Sequence, residues 1–124
     1  MPDTGIDFSM LAGSEVNTRT YEAGDIIFKE GDAAGEMFVV KSGRVEIRRG
    51  GRTLETVPEK VIFGEMALVD AEPRSASAVA VTEATVVPVS EQQFLFMVRH
   101  TPFFALNVMR TLARRLRAAN EAAV

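Results

Sequence analysis

The chain contains no cysteine and a single histidine, His100. Without cysteine it can form no disulfide bond, no thiolate metal site and no iron–sulfur cluster, and it has no cysteine nucleophile. One histidine cannot supply the clustered imidazole ligands of the metal sites that jelly-roll enzymes use. No serine–histidine pair in a nucleophile context and no phosphate-binding loop of the Walker type occurs either. We therefore expect no catalytic residues, no metal and no cofactor.

A long apolar run and an excess of positive charge are also missing. No stretch approaches the length that crosses a membrane, and no basic segment precedes an apolar run at the N-terminus. The formal net charge of −3 over 124 residues offers no electrostatic footprint for nucleic acid on the chain as a whole. The composition is that of one ordinary globular domain spanning residues 1–124. We expect a cytoplasmic protein with no membrane partner.

Short alternating segments separated by turn signals fill most of the first two-thirds of the chain. Gly50-Gly51 is the strongest of these signals, because a tight two-residue hairpin needs positive φ at both positions. Short strands at such even spacing are typical of an antiparallel barrel or jelly roll. After a lead-in over residues 1–14, we predict a β-roll over residues 15–90. Its strands are predicted at 16–21, 26–29, 37–41, 44–49, 52–57, 75–81 and 85–89.

The C-terminal third changes to helical signals. Ser90 followed by Gln93 is a capping box, and it opens a helix that ends near Arg99. Thr101 and Pro102 supply a cap and a first-turn proline for a second helix over residues 103–121. Apolar residues recur along this helix at intervals of three and four and predict a face that packs on the roll or pairs with a second copy. They are Ala105, Met109, Leu112, Leu116 and Ala119.

Four arginines make the second helix basic. Cations are favourable near the C-terminal end of a helix, so we expect a solvated basic face, with nucleic-acid binding as the alternative. The four are Arg110, Arg114, Arg115 and Arg117. The predicted fold is thus mainly β, with about eight antiparallel strands in a jelly roll, a short helix within residues 63–77 and two helices over residues 91–122.

Residues 63–77, FGEMALVDAEPRSAS, combine a glycine, an acid and an arginine around a short apolar piece. Gly64 at the mouth of a short helix lets backbone N–H groups approach an anion closely. Arg74 can meet a phosphate with two parallel hydrogen bonds, and Glu65 can accept from sugar hydroxyls. Taken singly, Glu65 is better explained as a favourable charge at the helix dipole, and Arg74 as a solvated loop residue. Together they suggest a pocket for a sugar phosphate.

This segment resembles the phosphate-binding cassette of cyclic nucleotide-binding domains, the family of the catabolite activator protein and of the protein kinase A regulatory subunits. The family pattern is F-G-E-x-A-L followed, after a short loop, by R-[ST]-A. All its fixed positions are present, as Phe63, Gly64, Glu65, Ala67, Leu68, Arg74, Ser75 and Ala76. The resemblance covers about residues 20–121. One departure is Glu59-Lys60, where the family usually has a Gly-Asp turn, and it allows a differently shaped turn.

The resemblance implies a role for each cassette residue. Glu65 would accept the ribose 2′-hydroxyl, and Arg74 would grip the cyclic phosphate. Backbone amides of the four residues that open the helix would surround the ring, and two residues after the arginine would close its far side. These are Gly64, Glu65, Met66 and Ala67, followed by Ser75 and Ala76. The base would lie against the last helix, where Asn120 is either a base contact or a solvated residue near the helix end.

The resemblance therefore implies a receptor for cAMP, with cGMP as the alternative because Ser75 fits either nucleotide. Bacterial activators of this family continue into a DNA-binding helix-turn-helix domain, whereas this sequence ends at Val124, so we expect no direct DNA binding. The signal would pass to an unidentified effector protein through the last helix of a monomer or weak homodimer. The alternatives are a ligand-free interaction module with the same fold and, less favoured, a jelly-roll enzyme.

Overall fold

A computed structural model describes residues 17–70 and 72–122, which form eight strands and three helices. The strands are β1 Arg19–Tyr21, β2 Ile26–Phe28, β3 Glu36–Ser42, β4 Val45–Arg49, β5 Arg52–Val57, β6 Ile62–Phe63, β7 Ser77–Ala80 and β8 Ala84–Ser90. The helices are α1 Met66–Val69, α2 Glu91–His100 and α3 Pro102–Ala122. The predicted lead-in over residues 1–14 and the predicted strand start at Val16 lie outside the described residues.

The strands form two antiparallel four-stranded sheets, in the orders β1-β8-β3-β6 and β2-β7-β4-β5. The chain passes repeatedly from one sheet to the other, which is the arrangement of a jelly roll. The predicted β-roll with flanking helices is therefore confirmed. Strand β6 did not appear among the predicted strands, because two residues are too few to show an alternating pattern.

Strand β3 is buried on both faces because it separates two hydrophobic clusters. Met37 and Val39 point into a cluster beneath the helices, whereas Phe38 and Val40 point into the core between the two sheets. Side chains alternate along a strand, so a continuous apolar run such as Met37 to Val40 requires an apolar neighbour on each side. The helices provide the outer neighbour with Met97, Phe104 and Val108. This packing fixes α2 and α3 against one sheet.

Two turns have the left-handed backbone that the sequence analysis considered. Gly50 and Gly51 have φ values of 58° and 80°, which confirms the predicted hairpin between β4 and β5. Lys60 has φ 69° although it is not glycine, and its N–H donates to the carbonyl of Val40 at 2.7 Å. The turn before the cassette therefore keeps a glycine-like conformation despite the Glu59-Lys60 sequence.

The helices begin as predicted, but the buried face of α3 differs from the prediction. Ser90 and Gln93 form the capping box, and Pro102 is the first residue of α3. Met109 and Leu116 are 58% and 63% exposed, so these two positions of the predicted apolar face do not pack on the roll, and their pairing with a second copy stays a prediction. Because Phe104 enters the core beneath the helices, positions four, seven and eleven residues later turn inward with it. These are Val108, Thr111 and Arg115. Among the described helices, none is long and apolar enough to cross a bilayer.

Replacing Lys60 by glycine should stabilise the fold. A left-handed backbone costs an L-residue about 1–2 kcal/mol, and glycine returns about 0.5–1 kcal/mol of this through its more flexible unfolded state. We expect Lys60→Gly to raise the free energy of unfolding in urea by about 0.5–1 kcal/mol. Lys41→Gly, in the exposed part of β3, is the matched control and should lower it. A Lys60→Gly protein no more stable than the parent would contradict this account of the turn.

Candidate functional site

A cavity of about 280 Å³ lies between the cassette, strands β4 and β5, and helix α3. Its wall combines residues that are distant in sequence, because the jelly roll brings the two sheets and the last helix to one place. The lining residues are Phe28, Ile47, Glu55, Phe63, Gly64, Glu65, Met66, Ala67, Asp70, Glu72, Pro73, Arg74, Ser75, Ala76 and Arg115. Two arginines and four carboxylates thus meet on an otherwise apolar surface.

The backbone of Arg74 is held by the turn that follows β2. The N–H of Arg74 donates to the carbonyl of Asp32 at 2.9 Å, and the N–H of Gly31 donates to the carbonyl of Arg74 at 2.7 Å. The carbonyl of the next residue, Ser75, accepts from Nε of Arg49 at 2.9 Å. A loop residue would normally be mobile, but these bonds fix Arg74 at the cavity wall.

The side chain of Arg74 is fixed by backbone carbonyls and an aromatic ring rather than by an acid. Nη1 donates to the carbonyl of Gly64 at 2.9 Å, and Nη2 donates to the carbonyl of Glu36 at 2.7 Å. The guanidinium carbon lies 4.0 Å from the centre of the Phe28 ring, within range of a cation–π attraction. These three contacts therefore fix the orientation of the guanidinium.

Arg74 is a buried cation with unsatisfied bonding capacity. It is 8% exposed, and within the described parts of the chain no carboxylate lies within ion-pair distance of it. Its buried Nε has no hydrogen-bond acceptor among those same residues. Burial lowers the pKa of Arg74, although the charges of Glu36, Asp32 and Glu65 act in the opposite direction. An anion placed in the cavity would offset this desolvation.

Gly64 is required where the cassette passes the guanidinium. Its φ is 71°, and a Cβ built on it would lie 2.8 Å from Nη1 of Arg74 and 3.2 Å from Cε2 of Phe28. A side chain would therefore displace the guanidinium from the Gly64 carbonyl, besides straining the backbone. The glycine of the sequence motif serves the placement of the arginine ten residues later.

Glu65 is held at the cavity by an arginine from α3. Glu65 is 7% exposed, and its Oε1 accepts from Nη1 of Arg115 at 2.7 Å. Arg115 also donates through Nε to both oxygens of Glu55 at 2.8 and 3.1 Å, and through Nη2 to the carbonyl of Ile62 at 2.6 Å. One guanidinium thus joins α3 to β5, to β6 and to the cassette. Oε2 of Glu65 accepts no hydrogen bond from any described residue.

The structure brings seven of the eight predicted site residues to this cavity. They are Gly64, Glu65, Met66, Ala67, Arg74, Ser75 and Ala76. Asn120 lies exposed near the end of α3 and is not among the lining residues, so its contact with a base stays a prediction. The prediction of a solvated basic face is wrong for Arg115, which is paired with two carboxylates. The other three arginines of this face, Arg110, Arg114 and Arg117, are exposed.

Several lining residues were missed by the sequence analysis. Phe28, Ile47 and Glu55 come from strands without a recognisable motif, and no local signal identifies them. Arg115 did carry a signal, because it continues the spacing of Phe104 and Thr111 on the inward face of α3. Over residues 17–70 and 72–122, no group of three potential metal-ligating side chains converges. The expectation that the chain is not an enzyme stays a prediction.

A family model described as the cyclic nucleotide-binding domain matches residues 18–101. The cyclic AMP receptor protein of Thermus thermophilus is 40% identical over 115 residues, which are 89% of this chain and 53% of that protein. The crystal structure of the catabolite activator protein of Thermus thermophilus superposes with a TM-score of 0.78 at 38% identity, covering 91% of this chain and 55% of that one. The chain thus spans about half the length of these relatives.

The EAL enzyme Bd1971 provides a second structural comparison. Its cGMP-bound form has a TM-score of 0.62 at 34% identity, covering 86% of this chain and 30% of that one. Its cAMP-bound form has a TM-score of 0.61 at 35% identity, covering 85% and 30%. The matched sequence, the jelly roll and the buried cassette arginine agree with one another. The chain belongs to the cyclic nucleotide-binding domain family.

Proposed function

We propose that this chain is a receptor for a cyclic purine nucleotide, with cAMP as the first candidate. The observation that carries the proposal is the buried guanidinium of Arg74, which has no acidic partner at ion-pair distance among the described residues. A cyclic phosphate carries one negative charge and presents oxygen acceptors that suit the fork of an arginine. Its arrival supplies the missing counter-charge and an acceptor for Nε.

The remaining parts of the ligand meet complementary groups in the same cavity. Oε2 of Glu65 accepts the ribose 2′-hydroxyl, since Oε1 already accepts from Arg115. Apolar side chains such as Ile47 and Phe63 line the cavity and favour burial of a purine ring. Phosphate, sugar and base thus each have a matching surface, and the residues that provide it come from the cassette, the roll and α3.

The choice between cAMP and cGMP rests on relatives. The Thermus relative is named a cyclic AMP receptor protein, whereas Bd1971 has been solved with either nucleotide. We propose cAMP, and keep cGMP as the alternative because Ser75 suits both. The base contact proposed for Asn120 requires the end of α3 to move toward the cavity. Direct titration of both nucleotides separates the two ligands.

Removing the Arg74 guanidinium should remove most of the affinity for cAMP. Loss of one partner of a buried charged pair costs about 2–5 kcal/mol, so Arg74→Ala should weaken binding by roughly 30-fold to several thousand-fold. Arg74→Lys should also bind less tightly, because an ammonium group cannot form the fork. Isothermal titration calorimetry with cAMP and with cGMP measures both effects.

The matched control is Arg52→Ala, which removes the same charge from an exposed position on β5. It should bind cAMP like the parent. An Arg74→Ala protein with parental affinity would refute the assignment of Arg74. A folded parent that binds neither nucleotide would leave the ligand-free interaction module as the function.

We further propose that the ligand changes the position of α3. This helix is joined to the cassette through the bond between Arg115 and Glu65, and the ribose hydroxyl would share that carboxylate. A ligand shifts such an equilibrium only by its difference in affinity for the two helix positions. The side chains of α3 that contact the roll lie near Phe104, Val108 and Arg115, so the movement is a change of docking rather than a release.

Hydrogen exchange tests this movement. Saturating cAMP should slow amide exchange within residues 103–121 of the parent, because a helix docked more firmly opens less often. Residues 19–21 of β1 and residues 84–86 of β8, which pair with each other and do not line the cavity, give an internal reference on the same molecule. Arg74→Ala should show no such slowing at the same nucleotide concentration. Exchange in α3 that does not respond to bound ligand would disprove the switch.

The outward face of α3 is where we propose that the signal leaves the domain. Leu106, Met109 and Leu116 are 38%, 58% and 63% exposed, and Ala113 continues their spacing of three and four residues. This is the spacing of a coiled-coil seam between two helices. We propose a weak homodimer along this seam, with an effector protein as the recipient of the signal.

Sedimentation velocity across a range of protein concentrations should reveal this dimer. Leu116→Glu should shift the equilibrium toward monomer, because it places like charges on both sides of the seam. Leu54→Glu alters an equally exposed leucine, 52% exposed on β5, and should leave the association unchanged. A parent that is monomeric at every concentration, or equal effects of the two substitutions, would exclude this interface.

A further inference from the structure

Glu55 contacts the ligand cavity from β5 and bonds to no part of the cassette motif directly. It pairs with Arg115, and Arg115 in turn pairs with Glu65. We propose that Glu55 is a positioning residue for ribose recognition. It holds Arg115 so that Glu65 keeps one carboxylate oxygen for the 2′-hydroxyl of the nucleotide. This inference rests on the proposed function and deepens it, because it concerns how the site selects a ribonucleotide.

Arg115 bonds to Glu65 through only one of its three nitrogens. A guanidinium facing a single carboxylate usually donates two parallel hydrogen bonds and occupies both oxygens. Here Nε is taken by Glu55 and Nη2 by the Ile62 carbonyl, so only Nη1 reaches Glu65. The guanidinium of Arg115 therefore donates to two carboxylates, those of Glu55 and Glu65, and does not form a two-bond pair with Glu65. Without Glu55, Arg115 would be free to turn its fork onto Glu65 and to compete with the ribose for Oε2.

The position of Glu55 on β5 places its side chain at the cavity. Glu55 lies directly across from Ile47 on β4, and both side chains line the cavity. Side chains alternate along a strand, so the neighbours Leu54 and Thr56 point to the other face. The Glu55 side chain is 30% exposed and that of Arg115 is 18% exposed, so their ion pair is partly shielded from water. Such a pair restricts Arg115 more than a fully exposed pair would.

The test compares cAMP with 2′-deoxy-cAMP, which lacks only the hydroxyl that Glu65 would accept. A hydrogen bond to a charged group is worth about 1.5–3 kcal/mol, so the parent should bind cAMP about 10- to 150-fold more tightly than the deoxy analogue. Glu55→Gln keeps the size of the side chain and removes its charge. It should weaken cAMP binding by about tenfold and change deoxy-analogue binding by less than about twofold.

A second pair of variants shows whether Glu55 acts through Arg115. In an Arg115→Gln background, adding Glu55→Gln should not change the affinity for cAMP further, because the residue through which Glu55 acts is gone. Glu46→Gln is the matched control. Glu46 lies on β4, and its carboxylate pairs with Arg48 of the same strand at 2.7 Å. Glu46 does not line the cavity. Glu46→Gln should leave the affinities for cAMP and for 2′-deoxy-cAMP unchanged.

The outcomes separate this inference from the proposed function. If the parent binds cAMP but Glu55→Gln weakens the binding of both nucleotides equally, or of neither, the positioning role is overturned and the receptor function stands. If Glu55→Gln binds both nucleotides more tightly than the parent and to the same degree, Glu55 acts only as a negative charge that repels the phosphate. If the parent itself binds neither ligand, the proposed function and this inference fail together. The positioning role is supported if Glu55→Gln weakens the binding of cAMP but not of 2′-deoxy-cAMP, and if this effect is absent in the Arg115→Gln background.

Discussion

The site depends on a positive charge that the fold buries without an acidic partner at contact distance among the described residues. Desolvation of Arg74 is unfavourable, and the protein offsets it only in part, with two carbonyl acceptors and the face of Phe28. The backbone around the arginine is tied to the Gly31-Asp32 turn, so the side chain cannot easily move out into water. The cavity wall therefore holds a cation beside which an anion would be favourable, and the other lining residues would affect which anion fits.

The glycine and the acid of the cassette have distinct physical roles in this arrangement. Gly64 lets the chain pass the guanidinium closely enough for its carbonyl to accept a hydrogen bond. Glu65 adds a negative charge near the same cavity without neutralising Arg74, because its carboxylate is engaged by Arg115. The two arginines that line the cavity thus have different roles: Arg74 keeps a charge without an acidic partner at contact distance among the described residues, and Arg115 joins the last helix to the roll.

The local motif predicted which residues share one cavity better than the periodicity predicted which face of α3 is buried. The joint pattern of Phe63, Gly64, Glu65 and Arg74 was sufficient because these residues are close in sequence and their spacing is specific. Glu55 and Phe28 could not be found in this way, since only the pairing of distant strands brings them to the cavity. The apolar repeat of α3 did not decide whether Met109 turns inward, because such a repeat shows that a stripe exists, but not which of two stripes packs on the roll. Phe104 settles that choice in the folded chain.

Strand β3 connects these parts of the molecule through consecutive residues. The carbonyl of Glu36 accepts from Arg74, the side chain of Met37 lies beneath the helices, and Phe38 stacks with Phe63 in the roll. The roll and the helices therefore share one strand, and detaching α3 would expose apolar surface on β3. Burial of that surface favours a docked helix. If the ligand moves α3 as proposed, sliding against the sheet would expose less apolar surface than release, and the change would pass along neighbouring residues of one strand.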